Sequence, residues 1–325
     1  MHSATFLDQL DHEVELAKAD AWAPSTKKTY ATHKAAYLRF SRMVGVSPLP
    51  ANSRHICRYA VYLARTKAFS SVKQYINIIR IMSLEANLPN PLEGDYSLKQ
   101  VMLGLKRKLG EKAARKLPIT KAHLYHIFSK LDISLPLHGV YWGACLTLFY
   151  TLLRRSNVLT TFLSFNPDIH LTRKDVSVGA NGTLISIKHT KTIQFKQREL
   201  TFPLPRLKGS SMCPTRAIYN AIRLVPAGPN QPLFSLPEGK CLSPDTFIKL
   251  TREFLSDIVD NTKDYAGHSF RRRGASYLFQ LGATVSLIRS LGDWQSDAYA
   301  LYTLPSQVTI SSATHQMGVA LQSPP

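Results

Sequence analysis

One segment of the 325-residue sequence gathers side chains able to act on a phosphate: GHSFRRRGASYLFQLGATVSLIRSLGDWQSDAYALYTLP, from Gly267 to Pro305. His268 and Arg271 form an H-x-x-R pair, and Trp294 and Tyr302 follow. Upstream, Arg154 stands in LLRRSNVL and Lys191 in HTKTIQF. A guanidinium forks two donors onto phosphate oxygens and stays protonated, so it meets the charge that a phosphodiester concentrates on its non-bridging oxygens during attack. A histidine moves protons near neutral pH. A phenol, with an ordinary pKa near 10, attacks only when a base or cation assists it. Singly, none of these residues is specific, because an H-x-x-R pair arises by chance in basic proteins and Trp and Tyr are ordinary core residues. Their order and spacing carry the information.

The elements that must hold them are mainly helical. From Ser25 to Leu105 the apolar residues recur at helical spacing, with Tyr30, Ala36, Tyr37 and Phe40 near one face and Ser25 as the expected N-cap; similar stretches run His55 to Thr66 and Ser71 to Asn87. A Lys- and Arg-rich linker is expected over Lys106 to Thr120, with Pro118 marking a helix boundary. Helices follow around Lys121 to Leu131 and over Val140 to Leu153, the latter apolar on nearly all sides as a buried central helix is. Asp175 to Leu204 then alternates apolar and polar residues around Asn181-Gly182 and predicts a small antiparallel sheet. Beyond a Pro-rich connection, helices are expected near Pro244 to Val259, Ser269 to Leu281 and Val285 to Leu291. The fold class is therefore mainly α with a small antiparallel β-sheet in two domains: an N-terminal helical domain over 1–105, the linker over 106–120, a second domain over 121–305 and a polar tail over 306–325.

Forty-one Lys and Arg against twenty-one Asp and Glu give a formal charge of +20 and a pI near 9.9, so the natural partner is a polyanion. The basic residues expected to meet it are Lys27, Lys28 and Arg80 on the N-terminal helices, Lys106, Arg107, Lys108, Arg115 and Lys116 in the linker, and Arg272 beside the H-x-x-R pair. So acid-poor a chain shows no paired carboxylates of the kind that hold Mg²⁺ in metal-dependent nucleases. Cys57, Cys145, Cys213 and Cys241 form no C-x-x-C pair, which argues against a zinc knuckle or a disulfide framework. The longest uncharged run, Gly139 to Leu153, is too short to span a bilayer, and an intracellular location is expected.

In these motifs the sequence resembles the tyrosine site-specific recombinases, the family that includes phage integrases. LLRRSNVL aligns Arg154 with that family's first arginine, HTKTIQF aligns Lys191 with its hairpin lysine, HSFR aligns His268 and Arg271, and Trp294 and Tyr302 close the set. The segment STKKTY with Tyr37 and Phe40 is similar to the family's core-binding domain, and MCPTRAI and GDWQSDAYALY look closest to eukaryotic mobile-element recombinases of the Crypton and DIRS-like types. The resemblance implies an N-terminal core-binding domain and a C-terminal catalytic domain, acting on double-stranded DNA without cofactor or metal. It also implies a dimer on one site, a tetramer in the synaptic complex, and passage through a Holliday junction. Tyr302 would be the nucleophile that forms a 3′-phosphotyrosyl bond. Arg154, Arg271 and Trp294 would serve the phosphate, His268 would handle protons and Lys191 would be the general acid. The eukaryotic flavour and the basic runs point to the nucleus.

Several positions bear on the family pattern. Asn157 stands where many members carry Glu, Arg272 stands where a His or Arg is common, and Trp294 and Tyr302 are eight residues apart, one fewer than usual; Tyr299 is the fallback nucleophile, read first as a helix-packing residue. Lys188 and Lys196 flank Lys191 as alternative donors. The rival to an active recombinase is a DNA-binding protein that keeps the fold without the chemistry, and an RNA- or chromatin-binding module is the remaining alternative.

Overall fold

The computed structural model describes residues 2–110, 116–193, 198–302, 311 and 314–316. It divides into two compact units, Met1–Ala114 and Arg115–Pro325.

The first unit is entirely helical among its described residues: α1 (His2–Asp20), α2 (Pro24–Met43), α3 (Ser53–Ala64), α4 (Phe69–Glu85) and α5 (Tyr96–Leu109). Tyr37 and Phe40 of α2 meet Ile56 and Tyr59 of α3 and Ile76 and Ile79 of α4 in one core. Asn52 caps α3 by accepting from His55 N at 2.8 Å, and Asp95 caps α5 by accepting from Leu98 N at 2.9 Å; each such cap stabilises its helix by about 1 kcal/mol. Ser25, expected to cap α2, instead lies inside its first turn. The helix starts at Pro24, whose fixed φ suits that position, and Ala23 precedes it without a side-chain cap. The linker expected from Lys106 is helical over its first four residues, because α5 continues to Leu109 and places Lys106, Arg107 and Lys108 in its last turn, where cations favour the helix dipole.

Early in the second unit a segment bonds through its backbone to the region before and at the start of the H-x-x-R helix: Leu117 N donates to Asp264 O at 2.8 Å and Ile119 N to Ser269 O at 3.1 Å. Thr120 and His123 then form a reciprocal cap for α6 (Lys121–Lys130). The central helix α7 (Pro136–Thr151) is buried on all sides from Gly139 to Leu148, as its uninterrupted apolar run requires. The chain leaves it through Leu152 in a left-handed conformation, φ 54°, and enters the short α8 (Arg155–Val158) with Arg154 as its N-cap residue.

The sheet has the order β1-β2-β3, all antiparallel: β1 (Val176–Val178), β2 (Gly182–Ile187) and β3 (Leu200–Pro205). Its register sets Val176 opposite Ile185 and Ile185 opposite Phe202, so Ile185, Ile187, Phe202 and Leu204 face the core. Among the described residues the sheet is followed by α9 (Pro214–Leu224), α10 (Pro244–Leu255), α11 (Gly267–Gln280) and α12 (Val285–Leu291). No helix is expected from sequence over 214–224. One forms there because Pro214 opens it and Ala217, Ile218 and Ala221 bury a stripe against α7. Helix α11 also packs on α7, at a distance only a glycine allows: a Cβ on Gly274 would collide with Phe149 O and Leu152 Cδ2.

Gly274→Ala is expected to cost about 1 to 3 kcal/mol of stability, the usual range for overpacking. Gly104→Ala, in α5 where an added Cβ meets open space, is expected to add about 0.5 to 1 kcal/mol by removing helical glycine. Chemical denaturation followed by circular dichroism would read both, with opposite signs.

Candidate active site

Arg271, in the second turn of α11, anchors the site. It is 3% exposed, and its guanidinium donates through Nη1 to Leu152 O at 2.5 Å and through Nη2 to Gly292 O at 2.6 Å. The first bond satisfies a carbonyl freed where α7 ends at the left-handed Leu152, and the second closes the turn that follows α12. The plane of Trp294, itself 6% exposed, lies against this cation with the guanidinium carbon 3.8 Å from the ring centroid. The Trp294 and Tyr302 rings are 5.7 Å apart. Tyr302 is half-buried at the end of a 3₁₀ turn over Asp297–Leu301, and its carbonyl accepts from Ser276 Oγ on α11 at 2.8 Å.

Burial, and then the neighbouring Arg154, push the Arg271 pKa down to about 9, while Tyr302 and Asp293 act the other way. His268 begins α11 one turn before Arg271. A Cβ at Gly267, just before it, would press into the Arg155 side chain, so the start of α11 lies directly on the α8 segment that carries Arg154. His268 keeps part of its surface in water, yet the surrounding protein lowers its pKa below the ordinary histidine value, with Arg271, Arg154 and Arg155 adding to the effect in that order. The site therefore brings together two guanidiniums, an imidazole held largely neutral at pH 7, an indole and a phenol. Such a set can bind an oxyanion and accept a proton beside it.

Lys191 is exposed, in the connection between β2 and β3, within a tight turn where Thr190 and Ile193 exchange both main-chain bonds. That turn is joined to the cluster through Asp293, which precedes Trp294: Asp293 accepts from the hydroxyls of Thr190 and Thr192 and from Arg198. Of the flanking lysines, Lys188 is engaged by the Asp175 carboxylate at 2.5 Å, and Lys196 lies outside the described residues. Tyr299 packs with the Leu152, Ile288 and Trp294 cluster, and the Arg289 guanidinium sits 5.7 Å from its ring. Asn157, where a Glu would be usual, donates to His189 O at 3.4 Å and leaves its own carbonyl oxygen buried without a partner. Asp293, Arg198 and Ser276 were not singled out from sequence. The only signal for Asp293 was a carboxylate directly before the Trp in a chain short of acids.

The basic residues expected to meet DNA fall into three groups. Lys27, Lys28, Arg107 and Lys108 are exposed, as is Lys106, on α2 and α5, and Arg80 is half-buried with its Nε donating to Asn77 Oδ1 at 3.0 Å. Lys116 and Arg272 are tied into the second unit: Lys116 Nζ donates to Lys263 O, and Arg272 Nη1 donates to Lys116 O, both at 2.6 Å. Arg115 lies outside the described residues. Among the described residues no helix is long and apolar enough to cross a membrane.

A mainly helical unit with this small antiparallel sheet, following a helical bundle, is the fold of the tyrosine recombinases. The chain is similar over 94% of its length, and 97% of the other chain, to the integrase of transposon Tn1549 in complex with circular intermediate DNA, with a TM-score of 0.62 at 13% identity. It is similar over 91% of its length and 94% of the other chain to a lambda integrase dimer bound to a COC′ core site, with a TM-score of 0.60 at 14% identity. It is similar over 88% of its length and 78% of the other chain to the XerH site-specific recombinase bound to difH substrate, with a TM-score of 0.53 at 13% identity. No protein-family model and no curated protein matches the sequence.

His268 is expected to titrate below the ordinary value of about 6.5, and Arg154→Gln to raise its pKa by removing one of the cations that lower it; NMR titration of the imidazole would show both. His33, His55, His123 and His170 are lowered as well, chiefly by burial. For each, the unfolded chain takes up its proton first as pH falls. Stability is therefore expected to be full above pH ~6.5 and to decline as pH drops through the depressed folded values, as denaturation midpoints across that window would show.

Proposed function

We propose that this chain is a site-specific DNA recombinase that cleaves and rejoins DNA through a covalent 3′-phosphotyrosyl intermediate. The observation that supports the reading is the cluster around Arg271: Arg154 and His268 lie near it, Trp294 covers its guanidinium, and Tyr302 lies beside both Arg271 and Trp294. A scissile phosphate held by Arg154 and Arg271 supplies the anion that two adjacent guanidiniums lack. The phenolic oxygen of Tyr302 attacks phosphorus while His268, neutral because of its surroundings, takes the phenolic proton. The P–O5′ bond breaks, and Lys191 gives its proton to the departing 5′-oxygen. The phosphotyrosyl ester keeps the bond energy, so a 5′-hydroxyl from a second strand attacks it in the reverse reaction, and rejoining needs no nucleotide. Arg271 is held before substrate arrives, and removing either arginine is expected to cost about a hundredfold or more in rate, the scale for a lost charge-stabilising donor.

A surface of net charge +20 suits duplex DNA, with Lys27, Lys28, Lys106, Arg107, Lys108 and Arg115 on its backbone. In this reading residues 1–105 form the core-binding domain, 106–120 the linker and 121–305 the catalytic domain. A dimer fills one site and two dimers form the synaptic tetramer, the working form for integration or excision of a mobile element in a nucleus.

Incubation with nicked duplexes from the source DNA, without metal, is expected to give SDS-stable, protease-sensitive adducts with wild type and none with Tyr302→Phe, while Tyr299→Phe retains them. Tight DNA binding by wild type without adducts would instead establish a catalytically silent DNA-binding protein on this fold.

A further inference from the structure

We propose that Asp293 is a positioning residue that holds the Lys191 turn to the arginine cluster, so that the proton donor and the phosphate site are one assembly. The inference rests on the recombinase reading above. The Asp293 side chain is 1% exposed. One carboxylate oxygen, Oδ2, accepts from Thr190 Oγ1 at 2.7 Å and from Thr192 Oγ1, the two residues that flank Lys191 in sequence. The other, Oδ1, pairs with Arg198 Nη2 at 2.6 Å, on the return of the same connection toward β3. A single buried carboxylate thus binds the connection on both sides of Lys191.

The backbone of Asp293 lies in the left-handed region at φ 51°, which Asp tolerates better than most residues because its short polar side chain can bond locally. Its neighbours on either side hold Arg271: the carbonyl of Gly292 accepts from the guanidinium, and the ring of Trp294 covers it. Arg271 itself bonds to backbone carbonyls, while the hydrogen bonds of Asp293 go to residues 190, 192 and 198. The carboxylate therefore acts on the turn, and Arg198 offsets a negative charge that would otherwise repel a phosphate.

If Lys191 protonates O5′ as the P–O5′ bond breaks, the need for it disappears when that oxygen is replaced by sulfur. A thiolate, whose conjugate acid has a pKa near 8.5, departs without a proton. Asp293→Asn keeps the volume but replaces one acceptor oxygen with a donor. It is expected to slow adduct formation on an ordinary nicked phosphodiester by about tenfold or more, with DNA affinity unchanged, and to react within about twofold of wild type on the matching 5′-bridging phosphorothiolate. Thr190→Ala with Thr192→Ala, which removes the hydroxyls and leaves the Asp293–Arg198 pair, is expected to behave in the same way, and it decides the matter if Asp293→Asn fails to fold. Hydrogen exchange over residues 188–193 is expected to speed up in both variants.

A defect of equal size on both substrates would overturn the proposal and assign Asp293 to the arginine cluster alone, and unchanged exchange over 188–193 would overturn it as well. Wild-type protein that forms no adduct on either substrate would overturn the recombinase reading itself, with the exchange comparison still deciding whether Asp293 anchors the turn.

Discussion

The second unit turns on one buried cation. Arg271 is almost wholly removed from water, and a guanidinium in that position is costly unless the protein replaces its hydration. Here two backbone carbonyls and an indole face do so, all brought against α11: Leu152 offers its carbonyl from the end of α7, and Gly292 and Trp294, two residues apart, offer a carbonyl and a ring from the turn after α12. Satisfying this one side chain obliges three segments to meet. The abrupt exit of the chain from α7 at Leu152, the bare backbone at Gly274 and the packing of Trp294 all follow from that meeting.

Its electrostatic consequence is a site with positive charge in excess. Arg154 lies close enough to depress Arg271, and both depress His268. Asp293 offsets this charge only in part, because its hydrogen bonds go to the Lys191 turn and Arg198. Arg271, held by backbone carbonyls despite the repulsion of Arg154, is preorganised for an anion, and preorganisation is what lets fixed charges lower a barrier without reorganising at the moment of reaction.

Much of this was legible in the sequence because strong local patterns recorded it. The apolar run of α7 predicts a buried helix, and the alternation around Asn181-Gly182 predicts a small antiparallel sheet. What escaped lay where tertiary contacts override local signals. Helix α9 is short and bordered by prolines, and its stripe gains meaning only against α7. The start of α2 depends on the fixed φ of Pro24, although Ser25 is the better capping residue by type. Asp293 sat between two recognisable positions and passed as spacing, because its partners are about a hundred residues upstream and no local periodicity points to them. Lys116 and Arg272 read as exposed cations by composition, yet both bond to backbone carbonyls that hold the start of the second unit to the ground before and within α11.

The same long-range character explains why the cluster is one cooperative object. Arg154, Lys191, His268 and Tyr302 belong to four segments, none of which could place its side chain alone, and each is located through contacts that also locate another. Because the Arg154–Arg271 repulsion is carried by the folded state, a phosphate bound between them removes an unfavourable term as well as adding a favourable one, and linkage then requires that such an anion stabilise the folded unit it binds. The backbone carbonyls and Trp294 hold Arg271 where it is despite that repulsion, so an anion bound there would replace an unfavourable charge interaction with a favourable one.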